Sequence, residues 1–337
     1  MAVKLQNFVA ISLSMDFSNQ KILVTGGAGF IGSHLVDSLV EARPKALHVV
    51  DNLFLGRREN LNQARLRYPN LRFHKLDAAN GGVLRNLIRR KKIGVVFNLA
   101  TKALGYSFDS PLDAFHVNTQ IVGHLLESLR LGEIRHLIHF SSSEAYGNAL
   151  RVPMGEEHPL RPTTSYAAGK ASADLLIRSY QESFGLCVLT LRPFNNYGPR
   201  QNENLYAGVI PLTIKRLLKG ETPVVYGDGL QTRDFMFVAD TVRLALMLAR
   251  RENVYGKVVN LGTGCETPIR DIVKRLCSIA GYKGRVKKTL PRAGDVRRHC
   301  ADISLLRSLV GKMALRPLEE GLTETWEWYA RLSTKKY

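Results

Sequence analysis

The sequence lacks any apolar run approaching the roughly 20 residues that a membrane-spanning helix needs. It has only four cysteines, Cys187, Cys265, Cys277 and Cys300, and no two of them make a CxxC pair or a zinc-ligand spacing. That argues against a disulfide framework and a metal site, and predicts reduced thiols in a cytoplasmic protein. Internal repeats and low-complexity linkers are missing, which argues against a solenoid or a string of tethered modules. The apolar stretch 8–15 is short and has no small-residue cleavage site. Residues 1–20 therefore read as an extension ahead of the fold and not as a signal peptide.

Acidic residues are also scarce: 29 against 48 lysines and arginines, a formal charge of +19. No nucleic-acid motif accompanies the excess, and much of it is scattered along helical stretches such as Arg85–Lys92. Net charge alone reports solubility and non-specific attraction. The expectation is therefore solvated basic faces plus an anion pocket for a nucleotide diphosphate, with no nucleic acid and no membrane as partner.

At 337 residues the chain exceeds what one core usually organises, so two lobes are expected. Short β-branched runs at 21–24, 47–50, 71–74, 94–98, 135–140 and 187–191 alternate with amphipathic stretches at 31–42, 83–91, 119–131 and 166–184. That alternation predicts an α/β fold: a doubly wound parallel sheet of the Rossmann type over residues 21–192. After Pro193 turn clusters and helical patterns at 211–219, 238–251, 268–280 and 303–310 suggest a smaller C-terminal α/β substrate-binding lobe, residues 193–337. Residues 258–261 would return to the main sheet as a last strand.

The sharpest local signal is TGGAGFIGSHL at Thr25–Leu35. A strand enters it and a helix leaves it. Gly26 suits a tight turn, Gly29 lets the backbone approach a pyrophosphate, and Gly32 permits close helix packing. The helix N-terminus then offers free N–H groups to phosphates. A second strand ends at Asp51, nineteen residues past Gly32. An acid there accepts ribose hydroxyls and repels a 2′-phosphate, favouring NAD over NADP. Arg57 and Arg58 pull the other way.

Two further segments carry chemistry. Ser141-Ser142-Ser143-Glu144-Ala-Tyr146-Gly147 follows an apolar strand, at the sheet edge where open α/β folds bind ligands. Tyr166-Ala-Ala-Gly-Lys170 sets a phenol and an ammonium one helical turn apart. A positive neighbour lowers a phenol's pKa, so Tyr166 can serve as a base with Ser142 hydrogen-bonding the same substrate oxygen.

Together these segments resemble the extended short-chain dehydrogenase/reductases, specifically the nucleotide-sugar epimerases and dehydratases. VVDN at Val49–Asn52, NLA at Asn98–Ala100, RPFNNYGPRQ at Arg192–Gln201 and GDGLQTRDF at Gly227–Phe235 complete the likeness, which runs from Lys21 onward. The resemblance implies an NAD site formed by Gly26, Gly29, Phe30, Ile31, Gly32, Asp51, Asn52, Asp77, Ala78, Leu99, Ala100, Tyr166 and Lys170. It implies catalysis by Tyr166, Lys170, Ser142, Ser143 and Glu144, and contact with the sugar nucleotide by Ser142, Asn195, Arg233 and Arg292. Guanidinium groups suit a diphosphate because they bind its oxygens bidentately. It also implies a homodimer built on the helices at 119–131 and 166–184. Asn118 reads as a structural hydrogen-bonder, and the role of Lys102 stays open.

Enzymes of this kind begin by oxidising the sugar at C4, and the ketone acidifies C5–H. Glu144 is then the discriminating residue: a carboxylate there serves a 4,6-dehydratase, whereas 4-epimerases usually carry a small or hydroxyl residue. Ser143 keeps the choice open, because it cannot donate a proton as an acid would. The expectation is a 4,6-dehydratase-type reaction, with 4-epimerisation as the alternative. A UDP-glucuronate decarboxylase, an inactive NAD-binding protein and an NADP-dependent dehydrogenase rank lower.

Overall fold

The computed structural model describes residues 15–204, 206–291 and 296–334. Seven strands form one parallel sheet: β1 (Lys21–Thr25), β2 (Ala46–Asp51), β3 (Arg72–Lys75), β4 (Val95–Asn98), β5 (His136–Phe140), β6 (Val188–Pro193) and β7 (Val258–Leu261). Their order is β7-β6-β5-β4-β1-β2-β3. Alternate residues feed opposite cores, as the period of two requires. Ile22 and Val24 pack into one apolar cluster while Leu23 packs into the other. Val95 and Phe97 divide from Val96 in the same way. With both faces covered, the central strands read as continuous apolar runs rather than alternating ones.

One face is covered by α1 (Phe30–Glu41), through Leu35, Val36, Leu39 and Val40. The other face carries α2 (Gly81–Lys91), α3 (Pro111–Arg130) and α4 (Ser165–Phe184). α3 starts eight residues earlier than the apolar pattern suggests, because its first turns point Leu112 outward and Pro111 supplies the start.

β1 lies between β2 and β4, so the winding reverses there and a crevice opens at the strands' carboxyl ends. Beyond β6, α5 (Val209–Leu218), α7 (Ile269–Ile279) and α8 (Leu318–Thr334) enclose a separate core around Tyr197, Ile214, Phe237, Ile272 and Leu322. Three short strand pairs frame it: Asn195–Tyr197 with Phe235–Phe237, Thr232–Arg233 with Thr267–Pro268, and Val224–Tyr226 with Lys287–Thr289.

Two sequence boundaries move. The helix between α5 and α7, α6 (Val238–Ala249), lies in the span read as the second lobe, yet Val242, Leu244, Ala245 and Leu248 join the sheet's core. Met15 and Phe17 belong to the same core, with Phe17 edge-on to Phe97 at 6.0 Å. The end of the presumed extension is thus part of the packed domain, with Met15 and Phe17 buried in its core; residues 1–14 lie outside the described residues. Among the described residues no helix is long and apolar enough to cross a membrane.

Candidate active site

The glycine loop closes on itself through hydrogen bonds from Gly26 N–H to the Val50 carbonyl, 2.8 Å, and from Gly29 N–H to the Gly26 carbonyl, 3.1 Å. Gly26 sits at φ +68°, where side chains are disfavoured. A Cβ on Gly32 would stand 2.1 Å from the Gly26 carbonyl oxygen, so only glycine lets α1 approach the loop. Gly29 caps α1 without a side-chain hydrogen bond, leaving first-turn N–H groups directed at the crevice.

Asp51 braces this loop. Its carboxylate accepts from Ala28 N–H at 3.0 Å and Leu53 N–H at 2.8 Å. Burial pushes its pKa up, and these backbone donors oppose the shift. Each oxygen keeps acceptor capacity for a ribose hydroxyl. Asn52 donates to Asp77 at 3.0 Å, and Asp77 in turn accepts from Ala79 N–H at 2.9 Å.

Every residue assigned above to the dinucleotide or to catalysis lines one cavity of about 430 Å³, from Gly26, Gly29, Phe30, Ile31 and Gly32 through Asp51, Asn52, Asp77, Ala78, Leu99 and Ala100 to Ser142, Ser143, Glu144, Tyr166 and Lys170. This donor set fits a dinucleotide: open N–H groups at a helix start, an acceptor for a ribose, and a polar far end. A second cavity of about 570 Å³ adjoins it and is lined by Arg233, Tyr226 and Gln231. Leu104, Glu144 and Asn195 border both cavities. Arg292 lies outside the described residues.

At the junction, Ser142 and Tyr166 share the wall of the first cavity, and the Ser142 hydroxyl acts to lower the Tyr166 phenol. Ser142 also caps the short turn Ser143–Tyr146 by accepting from Glu144 N–H at 3.2 Å. The cap of this turn is therefore Ser142, and Glu144 borders both cavities. The Tyr166 phenol is pushed up to about 12, by burial above all and by the Glu144 charge, against the Ser142 hydroxyl. The sequence reading expects the Lys170 ammonium and the nicotinamide ring together to lower this phenol; Lys170 by itself does not offset burial, because its Nζ stands 6.0 Å from the Tyr166 ring centre and donates to the Phe140 carbonyl at 2.9 Å. Burial brings Lys170 itself down to about 8, with Asp174 opposing.

Below these groups lies a polar network no motif announced. Asp174 accepts from Arg192 Nε at 2.8 Å and from Ser141 Oγ at 2.9 Å. Arg192 reaches the Tyr146 hydroxyl at 2.9 Å, which donates to Asn260 at 2.8 Å. α4, β6, the serine turn and β7 are thereby tied together beneath the reacting groups. Asn118 is structural, as its sequence setting suggested: it accepts from Thr101 Oγ1 at 2.8 Å and Lys102 N–H at 2.7 Å.

Lys102 is neither solvent-facing nor at the cavity junction. It borders the first cavity with Nζ 4.3 Å from the Phe54 ring centre, 4.6 Å from Tyr106 and 3.5 Å from Asp113. Tyr106 meets Tyr206, a residue of the second cavity's wall, edge-on at 5.9 Å. This aromatic cluster was missed because its members are far apart in sequence. Gln231 sits inside the quoted GDGLQTRDF motif and could have been singled out there.

The family model of the NAD-dependent epimerase/dehydratase family matches residues 22–262. The chain belongs to that family. It is 35% identical over 317 residues to a UDP-glucose 4-epimerase of Mycolicibacterium smegmatis, spanning 93% of this chain and 99% of that protein. It is equally 35% identical over 322 residues to a dTDP-glucose 4,6-dehydratase of an Actinoplanes species, spanning 92% and 97%. The crystal structure of DesIV, a dTDP-glucose 4,6-dehydratase from Streptomyces venezuelae with NAD and TYD bound, superposes with a TM-score of 0.87 at 30% identity, covering 94% of this chain and 98% of that one. Family membership makes NAD the cofactor. The relatives include both epimerases and dehydratases, so the chain is an enzyme of the epimerase/dehydratase class.

Proposed function

We propose that this protein is a nucleotide-sugar 4,6-dehydratase-type lyase that acts through a 4-keto sugar and recycles its NAD. The observation that carries the reading is the position of Glu144, on the border of both cavities and close enough to Tyr166 for its charge to raise the phenol. Epimerisation at C4 needs one acid–base group, and Tyr166 suffices for it. Elimination needs a second base for C5–H, and Glu144 is a carboxylate so placed.

NAD bound in the first cavity supplies a hydride acceptor and a positive ring. Tyr166, whose buried phenol the positive nicotinamide ring would lower, takes the C4 hydroxyl proton, and Ser142 holds the same oxygen by a hydrogen bond. Lys170, held by Phe140, fixes the α4 face on which Tyr166 stands. Glu144 removes the C5 proton activated by the neighbouring ketone and passes it to the departing C6 hydroxyl, which leaves as water with Ser143 as a hydrogen-bond partner; the hydride taken from C4 then returns to C6, and C5 regains a proton, the one Tyr166 took up. Asn195 and Arg233 receive the diphosphate, with Arg292 as a third contact.

The alternative, 4-epimerisation, is favoured by one observation: Ser143 puts a hydroxyl, which cannot serve as a proton donor near neutrality, beside Glu144. We further propose that the enzyme works in the cytoplasm as a homodimer paired through α3 and α4. Incubating the purified protein with UDP-, dTDP-, GDP- and CDP-sugars, and identifying products by NMR, tests the reading. A 4-keto-6-deoxy sugar is expected; a bare mixture of C4 epimers would overturn it.

A further inference from the structure

We infer that the edge of the sheet opposite the active site holds a second anion site, a receptor for a small ligand bearing two or more phosphoryl groups. A hollow of about 390 Å³ opens there, and five cations surround it: Lys21, Lys45, Arg72, Arg90 and Lys91. They come from separate elements. Lys21, Lys45 and Arg72 stand at or just before the starts of β1, β2 and β3, and Arg90 and Lys91 close α2. The strands are four to six residues long, so at ~3.3 Å per residue the hollow lies roughly 15 Å from the cofactor loop. It is therefore separate from both cavities of the active site.

No carboxylate of the described residues pairs with any of the five. Arg72 donates to the Pro69 carbonyl at 3.0 Å instead. Other surface arginines are matched: Arg85 with Glu133, Arg275 with Glu319, Arg297 with Asp228 and Arg298 with Glu266. The α2 dipole favours Arg90 and Lys91 at its carboxyl end, but it gives no reason for the three cations at the strand starts. Like charges gathered without a partner repel one another, and a bound anion relieves that repulsion.

The hollow's inner wall is polar as well. His48, 5% exposed, and His74 stack with ring centres 5.3 Å apart and a 3.0 Å hydrogen bond between His48 Nδ1 and His74 Nε2. Both rings border the hollow. Burial, the neighbouring imidazole and the surrounding Lys91, Arg72 and Lys21 keep His48 neutral, holding it down to about 4. The cations converge on one hollow rather than forming a stripe, which suits a compact polyphosphate rather than the regularly spaced charges of a duplex.

The test titrates inorganic tripolyphosphate into the NAD-loaded full chain by calorimetry, with the double variants R72Q/K91Q and K283Q/K287Q in parallel. All four residues are exposed, so neither pair disturbs a core. Saturable binding, weakened at least tenfold in R72Q/K91Q and unchanged in K283Q/K287Q, is the expected result. Equal weakening in both variants would mean that net charge alone attracts the ligand. Binding insensitive to R72Q/K91Q would assign it to the active-site clefts. Duplex DNA that binds more tightly with length, and loses that binding in R72Q/K91Q, would replace the small ligand by a polymer. Each of these three results, or no saturable binding, overturns the inference.

Discussion

Lys170 is enclosed by protein, and burial brings its ammonium down to about 8 from the ordinary 10.5. The linkage sign follows from proton counts. Between these two values the unfolded chain holds a proton that the folded chain has released, so stability rises with pH across that window. Below it, keeping the buried ammonium charged costs up to ~3 kcal/mol. The Lys170→Met variant is therefore expected to melt above the wild type at about pH 7, with the difference closing between about pH 8 and 10.5. Thermal denaturation at several pH values measures this, and a constant difference would show that burial is not the cause. Glu144 carries the other prediction at this scale. With Glu144→Gln, formation of the 4-keto-6-deoxy product should fall by about 10²–10⁴-fold, the usual contribution of one acid–base group. Substrate-dependent reduction of the nicotinamide, followed by absorbance, should persist. Loss of both would make Glu144 a structural residue, and loss of neither would assign removal of the C5 proton to another group.

Among the elements, the β1–α1 loop is the most tightly specified. Gly32 touches the Gly26 carbonyl so closely that one added methyl group must push the α1 start away from the loop. Gly32→Ala is expected to cost about 1–3 kcal/mol, the usual penalty of overpacking, and to release NAD on gel filtration. A variant that kept both stability and cofactor would show that the loop yields. Asp51 adds a restraint from the next strand, since its carboxylate holds Ala28 and Leu53 and leaves Gly56 no room for a side chain. These constraints were legible in the sequence because the whole device is local: a strand, three spaced glycines, a helix and an acid at the next strand's end. The start of α3 and the whole of α8 were not. Their apolar positions are too few or too irregular in sequence, and it is packing against α4 and against α5 and α7 that holds them.

For the molecule as a whole, Asn195 and Glu144 border both cavities, between the sheet domain and the second lobe. α6 crosses from the second lobe to the sheet, and the Asp174–Arg192–Tyr146–Asn260 network ties four elements beneath the site. Leu112, Leu175 and Phe184 are more than half exposed on α3 and α4, an apolar surface that a partner subunit would cover. Light scattering should report a dimer for the wild type and a monomer for L175D/F184D. A monomeric wild type would remove the proposed pairing.

By itself, the sequence determined the doubly wound fold, NAD as the cofactor and the glycine loop, acid and serine turn that line one cavity. Each of these depends on spacing within one or two adjacent elements, which periodicity and motif preserve. Tertiary structure alone decided that Glu144 and Asn195 border both cavities, that Lys102 packs on the Phe54 and Tyr106 rings, and that Lys170 is buried with its ammonium on the Phe140 carbonyl. It alone gathered five cations at the far edge of the sheet. Those arrangements depend on strand order and register, which bring residues dozens of positions apart to within a few ångströms, and no local pattern records them.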